Sequence, residues 1–231
     1  MTDDDHDNDN DHHHDEDRPQ DPDRFSAAQQ AVEWDRRYGE HGDIRWSGRP
    51  NGRLVAEVAG LAPGRALDVG CGEGADAIWL AARGWTVTAV DVSEVALERA
   101  RAAADEAGVV VEWIGGDALT TPLPTGTFDL VSIQYPALPK ATGEAAVRAL
   151  LDTVRPGGVL LAVYHDIDAE HLALMPAKGF DPADYVGAAD LRALLGDATD
   201  FTIELDEIAP RPDPPSGNPH VADEVLRARR R

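Results

Sequence analysis

Apolar residues follow two different spacings along this chain, and the spacings alternate from about residue 65 onward. Short apolar runs are typical of strands, whereas apolar residues recurring every three or four positions are typical of helices. The pattern predicts seven strands, at 66–70, 86–91, 109–115, 128–135, 157–165, 201–209 and 220–229. It predicts helices at 26–38, 52–59, 75–84, 94–107, 143–154 and 187–195.

The order of these segments predicts the fold class. Strands that alternate with helices are joined by right-handed crossovers and form a mostly parallel sheet. The last two strands have only the linker PRPDPPSGNP between them, which favours an antiparallel pair at the sheet edge. We therefore expect an α/β protein with a Rossmann-like, doubly wound, seven-stranded and mostly parallel sheet that ends in an antiparallel edge pair.

The first 24 residues differ in composition from the rest of the chain. They contain eleven acidic residues and two arginines, and no apolar residue after Met1 except prolines. Such a segment cannot bury enough apolar surface to offset the entropy of ordering, so we expect residues 1–24 to be a disordered acidic tail. Its four histidines could hold a metal loosely, but a solvated tail is favoured and we predict no metal site. Residues 25–231 are expected to form one domain, with 25–60 as a helical segment over it.

Net charge and cysteine content restrict the function further. The formal net charge is −22, which argues against nucleic acids and anionic membranes as partners. No apolar stretch approaches the roughly 20 residues of a membrane helix, and no secretory signal is apparent. Cys71 is the only cysteine, so an internal disulfide is impossible. These features lead us to expect a cytoplasmic protein.

The segment LDVGCGEGADA, residues 67–77, joins the first predicted strand to a helix. Gly70, Gly72 and Ala75 satisfy the G-x-G-x-x-G/A fingerprint of dinucleotide-binding proteins. Gly70, Gly72 and Gly74 equally satisfy the G-x-G-x-G loop of enzymes that use S-adenosylmethionine. A third interpretation is a plain strand-to-helix turn.

Acidic residues around this loop discriminate between the two cofactors. Asp91, at the end of the second strand, can accept hydrogen bonds from ribose hydroxyls in either case. Asp117, after the third strand, suits the exocyclic amine of adenine, although a turn cap is a competing interpretation. Asp68 and Glu73 would repel a pyrophosphate, but they would attract the ammonium and sulfonium of S-adenosylmethionine. The charge pattern therefore favours S-adenosylmethionine as the cofactor.

The motifs LDVGCGEG, TVTAVDVSEVALERAR, GGDAL, FDLVSIQY and RPGGVLLAV occur in this order and spacing. With them the chain resembles the class I S-adenosylmethionine-dependent methyltransferases over roughly residues 30–231. The resemblance implies methyl transfer to a small-molecule acceptor, with S-adenosylmethionine as methyl donor. It also implies that the cofactor contacts Asp68, Gly70, Cys71, Gly72, Asp91, Val92, Asp117, Ala118 and Gln134.

Two terminal segments, WDRRYGEHGDIRWSGRPN and HVADEVLRARR, are similar to a narrower bacterial group of tellurite-resistance and thiopurine methyltransferases. That resemblance implies a lid over the cofactor formed by Trp34, Tyr38 and Trp46, although ordinary packing of an N-terminal helix is an equal alternative. It also implies a small acceptor, such as a thiol, a metalloid oxyanion or a small heterocycle. The group's histidines after strands 4 and 5 are replaced here by Pro136-Ala137 and Asp166.

Candidate acceptor-side residues follow strands 4 and 5. His165 is the candidate base and Tyr135 a second catalytic candidate, although a histidine that caps the strand end is the slightly favoured interpretation of His165. Soft nucleophiles need no base, so the sequence is compatible with catalysis without one. Two other functions remain open: a cofactor-binding sensor without catalytic activity, and, less favoured, an NAD-dependent oxidoreductase.

Overall fold

The computed structural model describes residues 25–40, 48–167, 181–212 and 221–231. Its helices are α1 (Ala27–Gly39), α2 (Gly52–Val58), α3 (Ala75–Ala81), α4 (Glu94–Ala107), α5 (Glu144–Leu151) and α6 (Ala188–Asp197). Its strands are β1 (Arg65–Val69), β2 (Thr86–Asp91), β3 (Val111–Gly115), β4 (Phe128–Gln134), β5 (Val154–His165), β6 (Phe201–Pro210) and β7 (Ala222–Arg230). Two short 3-10 helices lie at Lys140–Thr142 and Pro182–Asp184.

The seven strands form one sheet in the order β3-β2-β1-β4-β5-β7-β6. The first five are parallel, and β7 lies antiparallel between β5 and β6. This confirms the predicted α/β class and the antiparallel pair at the edge. The strand order reverses between β1 and β4, and a crevice opens at such a point beyond the carboxyl ends of the strands.

Both faces of the sheet are covered, so its strands are buried on two sides. One apolar cluster contains Leu67, Val131 and Leu160 with residues of α5 and α6. The other contains Leu130, Leu161 and Val225 with residues of α2 and α3. Burial on both faces explains why the strands read as near-continuous apolar runs in the sequence.

Helix boundaries agree best with the sequence where a capping residue marks them. Ser93 accepts a hydrogen bond from the Ala96 amide at the start of α4, and Gly108 ends the helix in a left-handed conformation. The predicted third strand began two residues too early, because the Val109 amide closes α4 by donating to the Ala104 carbonyl. The fifth predicted helix extended too far, since Val154 pairs with Phe128 as the first residue of β5.

Residues 1–24 and Trp46 lie outside the described residues, so the predictions made for them are not tested here. None of the helices within the described ranges combines the length and apolar character needed to cross a membrane.

Candidate active site

A cavity of about 1170 Å³ opens at the carboxyl ends of β1 to β5. The nine residues predicted to contact the donor and the two catalytic candidates all line this cavity. They are Asp68, Gly70, Cys71, Gly72, Asp91, Val92, Asp117, Ala118, Gln134, Tyr135 and His165. The fold therefore brings residues from five separate strand ends to one place, as the switch-point rule requires.

The loop from Gly70 to Gly74, called here the glycine loop, is held by backbone hydrogen bonds to β2. The amides of Gly70 and Cys71 both donate to the Val90 carbonyl, at 2.8 and 3.1 Å. Gly70 and Gly74 have φ angles of 69° and 81°, a region that side-chain-bearing residues seldom adopt. They differ in surroundings: a Cβ on Gly70 would enter open space, whereas one on Gly74 would meet the Trp113 ring at 2.6 Å.

This difference leads to opposite predictions for two alanine substitutions. Gly74→Ala is expected to lower the free energy of unfolding by about 1–3 kcal/mol, since the methyl group overpacks α3 against Trp113. Gly70→Ala is expected to cost only the backbone strain, about 1–2 kcal/mol, while its methyl group obstructs the cavity and weakens donor binding. Urea unfolding and calorimetric titration with S-adenosylhomocysteine measure the two effects. Equal donor affinity in Gly70→Ala and the wild type would contradict a ligand lying against this loop.

Asp91, at the carboxyl end of β2, is tied to the glycine loop. Its two carboxylate oxygens accept hydrogen bonds from the amides of Gly72, at 2.7 Å, and Ser93, at 2.9 Å. Burial raises the pKa of this carboxyl, and the amide hydrogen bonds oppose that rise. Each carboxylate oxygen has a further lone pair, so Asp91 can also accept hydrogen bonds from a ligand's hydroxyl groups.

Two more buried carboxylates lie beside Asp91. Asp68, at the end of β1, is 2% exposed, and its Oδ2 atom has no hydrogen-bond partner among the described residues. Burial raises the pKa of the Asp68 carboxyl well above its usual range, and the neighbouring Asp76 and Asp91 raise it further. Three buried carboxylates this close together favour a cationic ligand and disfavour a pyrophosphate.

Asp76 is a site residue that the sequence analysis missed. It lies in the first turn of α3, and its carboxylate accepts hydrogen bonds from the Asn51 amide, at 2.6 Å, and the Asn51 side chain, at 2.7 Å. Asn51 occupies the N-cap position of α2, but its side chain makes no capping hydrogen bond there. Asp76 and Asn51 are 25 residues apart, so no local sequence pattern predicts that they pair. The only sequence indication was an acidic residue two positions after Gly74.

Glu73 contributes less to this potential than the sequence suggested. Its carboxylate forms an ion pair of 2.8 Å with Arg99 of α4, which also donates to the Tyr38 carbonyl of α1. Arg99 therefore offsets the Glu73 charge. The negative potential at the glycine loop comes mainly from Asp68, Asp76 and Asp91.

Cys71 lines the cavity between two glycines, and its thiol is not suited to nucleophilic attack. Burial raises the pKa of the Cys71 thiol well above its usual range, and Asp91 and Asp68 raise it further. A thiol needs its thiolate form to react, so this residue stays inert at neutral pH.

Asp117 and Gln134 complete the part of the cavity on the side of β1 to β4. Asp117 accepts a hydrogen bond from the Leu119 amide at 2.9 Å, the turn-capping contact that was its alternative role, and it also faces the cavity. The Gln134 side chain donates to the Ser132 hydroxyl at 3.1 Å. Its carbonyl oxygen is buried and has no hydrogen-bond partner within the described ranges.

Beyond β4 and β5 lies a stack of three side chains. Tyr135 has a φ of 50°, a left-handed conformation that costs energy for a residue with a side chain. Its ring stacks on the His165 ring, with 4.1 Å between the ring centroids. The guanidinium of Arg211, which follows β6, lies 5.0 Å from the centroid of the Tyr135 ring. The Tyr135 hydroxyl donates to Asp223, a fully buried residue of β7, at 3.0 Å. The sequence did not indicate Arg211 and Asp223 as site residues. They reach the cavity because β7 pairs with β5 in the sheet, a contact between distant parts of the chain.

These contacts make Tyr135 a poor base. Burial raises the pKa of the Tyr135 hydroxyl, and the Asp223 carboxylate raises it further. The phenol therefore keeps its proton near neutral pH and acts as a hydrogen-bond donor. Of the two catalytic candidates from the sequence, His165 is the one whose side-chain type titrates near neutral pH.

Tyr135→Phe is expected to lower the free energy of unfolding by about 1–3 kcal/mol, because it removes a donor from a fully buried carboxylate. Urea unfolding of the variant and the wild type at neutral pH measures this effect. An unchanged unfolding free energy would show that the Tyr135–Asp223 contact does not hold this part of the cavity together.

Helix α1 packs over the donor side of the cavity, which Trp34 and Tyr38 line. Asp35 of α1 accepts hydrogen bonds from the Ser93 hydroxyl at 2.6 Å and the Val95 amide at 3.2 Å, at the start of α4. Trp34 is partly exposed, and Arg37 lies over its ring at 4.8 Å. Two of the three predicted lid residues thus face the cavity, and their role as a lid stays a prediction.

Comparison with known proteins identifies related sequences. The model of a family described as a methyltransferase domain matches residues 66–158. The chain is 32% identical over 157 residues to the ubiquinone biosynthesis O-methyltransferase of Pseudomonas paraeruginosa, covering 62% of this chain and 67% of that protein. It is 34% identical over 123 residues to the demethylmenaquinone methyltransferase of Thermus thermophilus, covering 52% of this chain and 54% of that protein. The chain therefore spans between about half and two thirds of these relatives.

Two solved structures are similar in fold. One, reported with the conversion of a disulfide bond into a thioacetal group during echinomycin biosynthesis, has a TM-score of 0.67 and 28% identity, covering 87% of this chain and 92% of that chain. The other is magnesium protoporphyrin IX methyltransferase from Synechocystis with bound SAH (S-adenosylhomocysteine). Its TM-score is 0.62 at 21% identity, over 91% of this chain and 98% of that chain.

Proposed function

Because the chain belongs to the class I S-adenosylmethionine-dependent methyltransferases, we propose that it transfers a methyl group from S-adenosylmethionine to a small molecule. The acceptor would bind beyond β4 and β5, next to the stack of Tyr135, His165 and Arg211. The observation that carries the proposal is the group of three buried carboxylates at the glycine loop. Asp68, Asp76 and Asp91 suit a donor that carries an ammonium and a sulfonium and lacks phosphate.

Each predicted donor contact has a place in this proposal. Asp68, through its unpartnered Oδ2 atom, would accept from the donor's ammonium, and the loop from Gly70 to Gly72, with Cys71, would lie against its amino-acid part. Asp91 would accept from the ribose hydroxyls, and Asp117 from the adenine amine. Val92, Ala118 and Gln134 would complete the walls around the donor. The donor supplies an activated methyl group, so the protein needs chiefly to align it and exclude water.

The acceptor atom that fits the site best is a soft nucleophile, in particular the sulfur of a thiol. The phenols of Tyr135 and Tyr164 and the Cys71 thiol all have raised pKa values, so none of them can take a proton from an acceptor at neutral pH. Thiolates form without a strong base. The echinomycin-related structure, whose reported reaction concerns sulfur, and the resemblance to the tellurite-resistance and thiopurine group support this choice.

A hydroxyl acceptor is the second candidate, because the Pseudomonas relative is named as an O-methyltransferase. A hydroxyl group needs its proton removed during transfer, and His165 lines the cavity as the candidate base. The two candidates therefore differ in whether His165 is required.

The test compares thiophenol and catechol as acceptors, with S-adenosylmethionine, in the wild type and in His165→Gln. We expect thiophenol to be methylated faster, and the variant to retain most of that rate. If catechol is preferred and its rate falls by about 10²-fold or more in His165→Gln, the hydroxyl candidate is correct. Faster methylation of tellurite than of thiophenol at low salt would instead select an anionic acceptor. Donor binding without turnover on any of these would support the sensor alternative.

A further inference from the structure

Buried polar atoms without a hydrogen-bond partner mark a ligand position in this cavity. Within the described residues they include Asp68 Oδ2, Gln134 Oε1 and the Tyr164 hydroxyl, and all three residues line the cavity. Folded proteins satisfy most buried polar groups, so an unpartnered polar atom of a cavity-lining residue is a candidate contact for a ligand or a water molecule. The first two belong to the proposed donor site. Tyr164 lies outside it and has no role yet.

Tyr164 is the last residue but one of β5, and its ring packs against the core beside the cavity. Tyr164 packs against an apolar cluster, and two members of that cluster, Leu138 and Val186, also line the cavity. The carboxylates of Asp190 and Glu224 lie near the hydroxyl on its other side. The hydroxyl thus lies where an apolar part of the cavity wall meets charged side chains.

The charges around Tyr164 define what it can bind. Burial raises the pKa of its hydroxyl, and the carboxylates of Asp190 and Glu224 raise it further, so the phenol is a permanent donor. Asp190 is paired with Lys140 at 2.9 Å, and Glu224 with Arg192 at 3.7 Å. No cation in this group remains to attract an anion, whereas the two carboxylates oppose one.

We propose that the Tyr164 hydroxyl donates a hydrogen bond to an uncharged carbonyl oxygen of the acceptor, and that Tyr164 is a specificity-determining residue. The acceptor would then be a largely apolar molecule that carries a carbonyl group besides its methyl-accepting atom. This inference rests on the proposed function, in that the molecule bound beside Tyr164 is taken to be the acceptor.

The test measures binding without turnover, so that it does not depend on methyl transfer. Acetophenone and ethylbenzene have nearly the same shape and differ in the carbonyl oxygen. Each is titrated into the full chain saturated with S-adenosylhomocysteine, and binding is followed by ligand-observed NMR. Acetophenone is expected to bind the wild type about tenfold more tightly than ethylbenzene does. In Tyr164→Phe the affinities of the two ligands are expected to agree within about twofold. Equal affinities in the wild type, or a preference that survives in Tyr164→Phe, would overturn the proposal.

A stability measurement separates this role from a structural one. Tyr164→Phe removes a hydroxyl that has no partner in the described part of the chain, so its urea midpoint is expected to match or exceed that of the wild type. Tyr135→Phe is the matched control, since its hydroxyl is bonded to Asp223 and its loss should lower the midpoint. A lowered midpoint in Tyr164→Phe would show a structural hydrogen bond and would contradict the proposal. Failure of thiophenol methylation, in contrast, would affect only the proposed function.

Discussion

Asp91→Ala is expected to weaken binding of S-adenosylhomocysteine by about 1.5–3 kcal/mol, which is roughly a 10- to 150-fold loss of affinity. Its carboxylate is buried at the end of β2 and would accept the ribose hydroxyl groups. It also holds the glycine loop through the Gly72 amide at 2.7 Å, so the variant loses part of the loop's support as well. Calorimetric titration gives the affinity, and NADH titrated in parallel should show no binding to either protein.

The matched control is Asp129→Ala. Asp129 also accepts a hydrogen bond from a backbone amide, that of Arg65 at 2.7 Å, and forms an ion pair with Arg155. It lies at the amino end of β4, on the opposite edge of the sheet from the cavity. This variant should lose stability and keep its affinity for S-adenosylhomocysteine. If both variants bind equally well, Asp91 does not contact the donor; binding of NADH would refute the charge argument for the cofactor.

Asp68→Asn is expected to have two opposite effects, a more stable protein and a weaker site. In the absence of a ligand the Asp68 charge is buried beside Asp76 and Asp91, so its removal should raise the free energy of unfolding by roughly 0.5–2 kcal/mol. The same change removes the proposed partner of the donor's ammonium, and affinity for S-adenosylhomocysteine should fall by about tenfold or more. Urea unfolding and calorimetry measure the two effects on one sample.

The gain in stability should depend on pH in a defined direction. The pKa of Asp68 in the folded protein lies above its unfolded value of about 3.9, so the folded state binds the extra proton. The stability that this group contributes is complete below about pH 3.9 and is lost as the pH rises through the raised pKa. The difference between Asp68→Asn and the wild type should therefore be small near pH 4 and larger near pH 7.5. A difference that does not change with pH would mean that folding does not raise the pKa of Asp68.

Asp76→Asn is the control for this pair of effects. Both Asp76 oxygens accept hydrogen bonds from Asn51. In Asp76→Asn one oxygen becomes an NH₂ group, which is itself a donor and cannot accept the hydrogen bond from Asn51. Burial raises the pKa of Asp76 as well, but the hydrogen bond lost from Asn51 offsets the relief of that buried charge, so we expect little or no gain in stability. The contrast separates a buried carboxylate with one unpartnered oxygen, Asp68, from one whose two oxygens both accept hydrogen bonds, Asp76.

The sequence predicts those parts of the fold and site that local chemistry determines. Ser93 and Gly108 mark the ends of α4, and the glycine loop and Asp91 follow from their positions after strands. The eleven predicted donor contacts and catalytic candidates face one cavity because parallel strands end at one edge of the sheet. The pairing of Asp76 with Asn51 and that of Tyr135 with Asp223 depend on contacts 25 and 88 residues apart. The spacing of apolar residues does not predict contacts between such distant residues. The ion pair of Glu73 with Arg99 was not predicted for the same reason.

The proposed donor contacts all come from residues up to Gln134, whereas the acceptor end of the cavity also draws on the last part of the chain. The three carboxylates at the glycine loop lie between residues 68 and 91, whereas Arg211 and Asp223 come from the hairpin of β6 and β7 and its linker. The matched family segment ends at residue 158, before that hairpin begins. If the acceptor binds there as proposed, substitutions at Arg211 and Asp223 would change which acceptor fits and would leave the carboxylates at the glycine loop unchanged. Acceptor choice could then diverge among related proteins without any change in cofactor recognition.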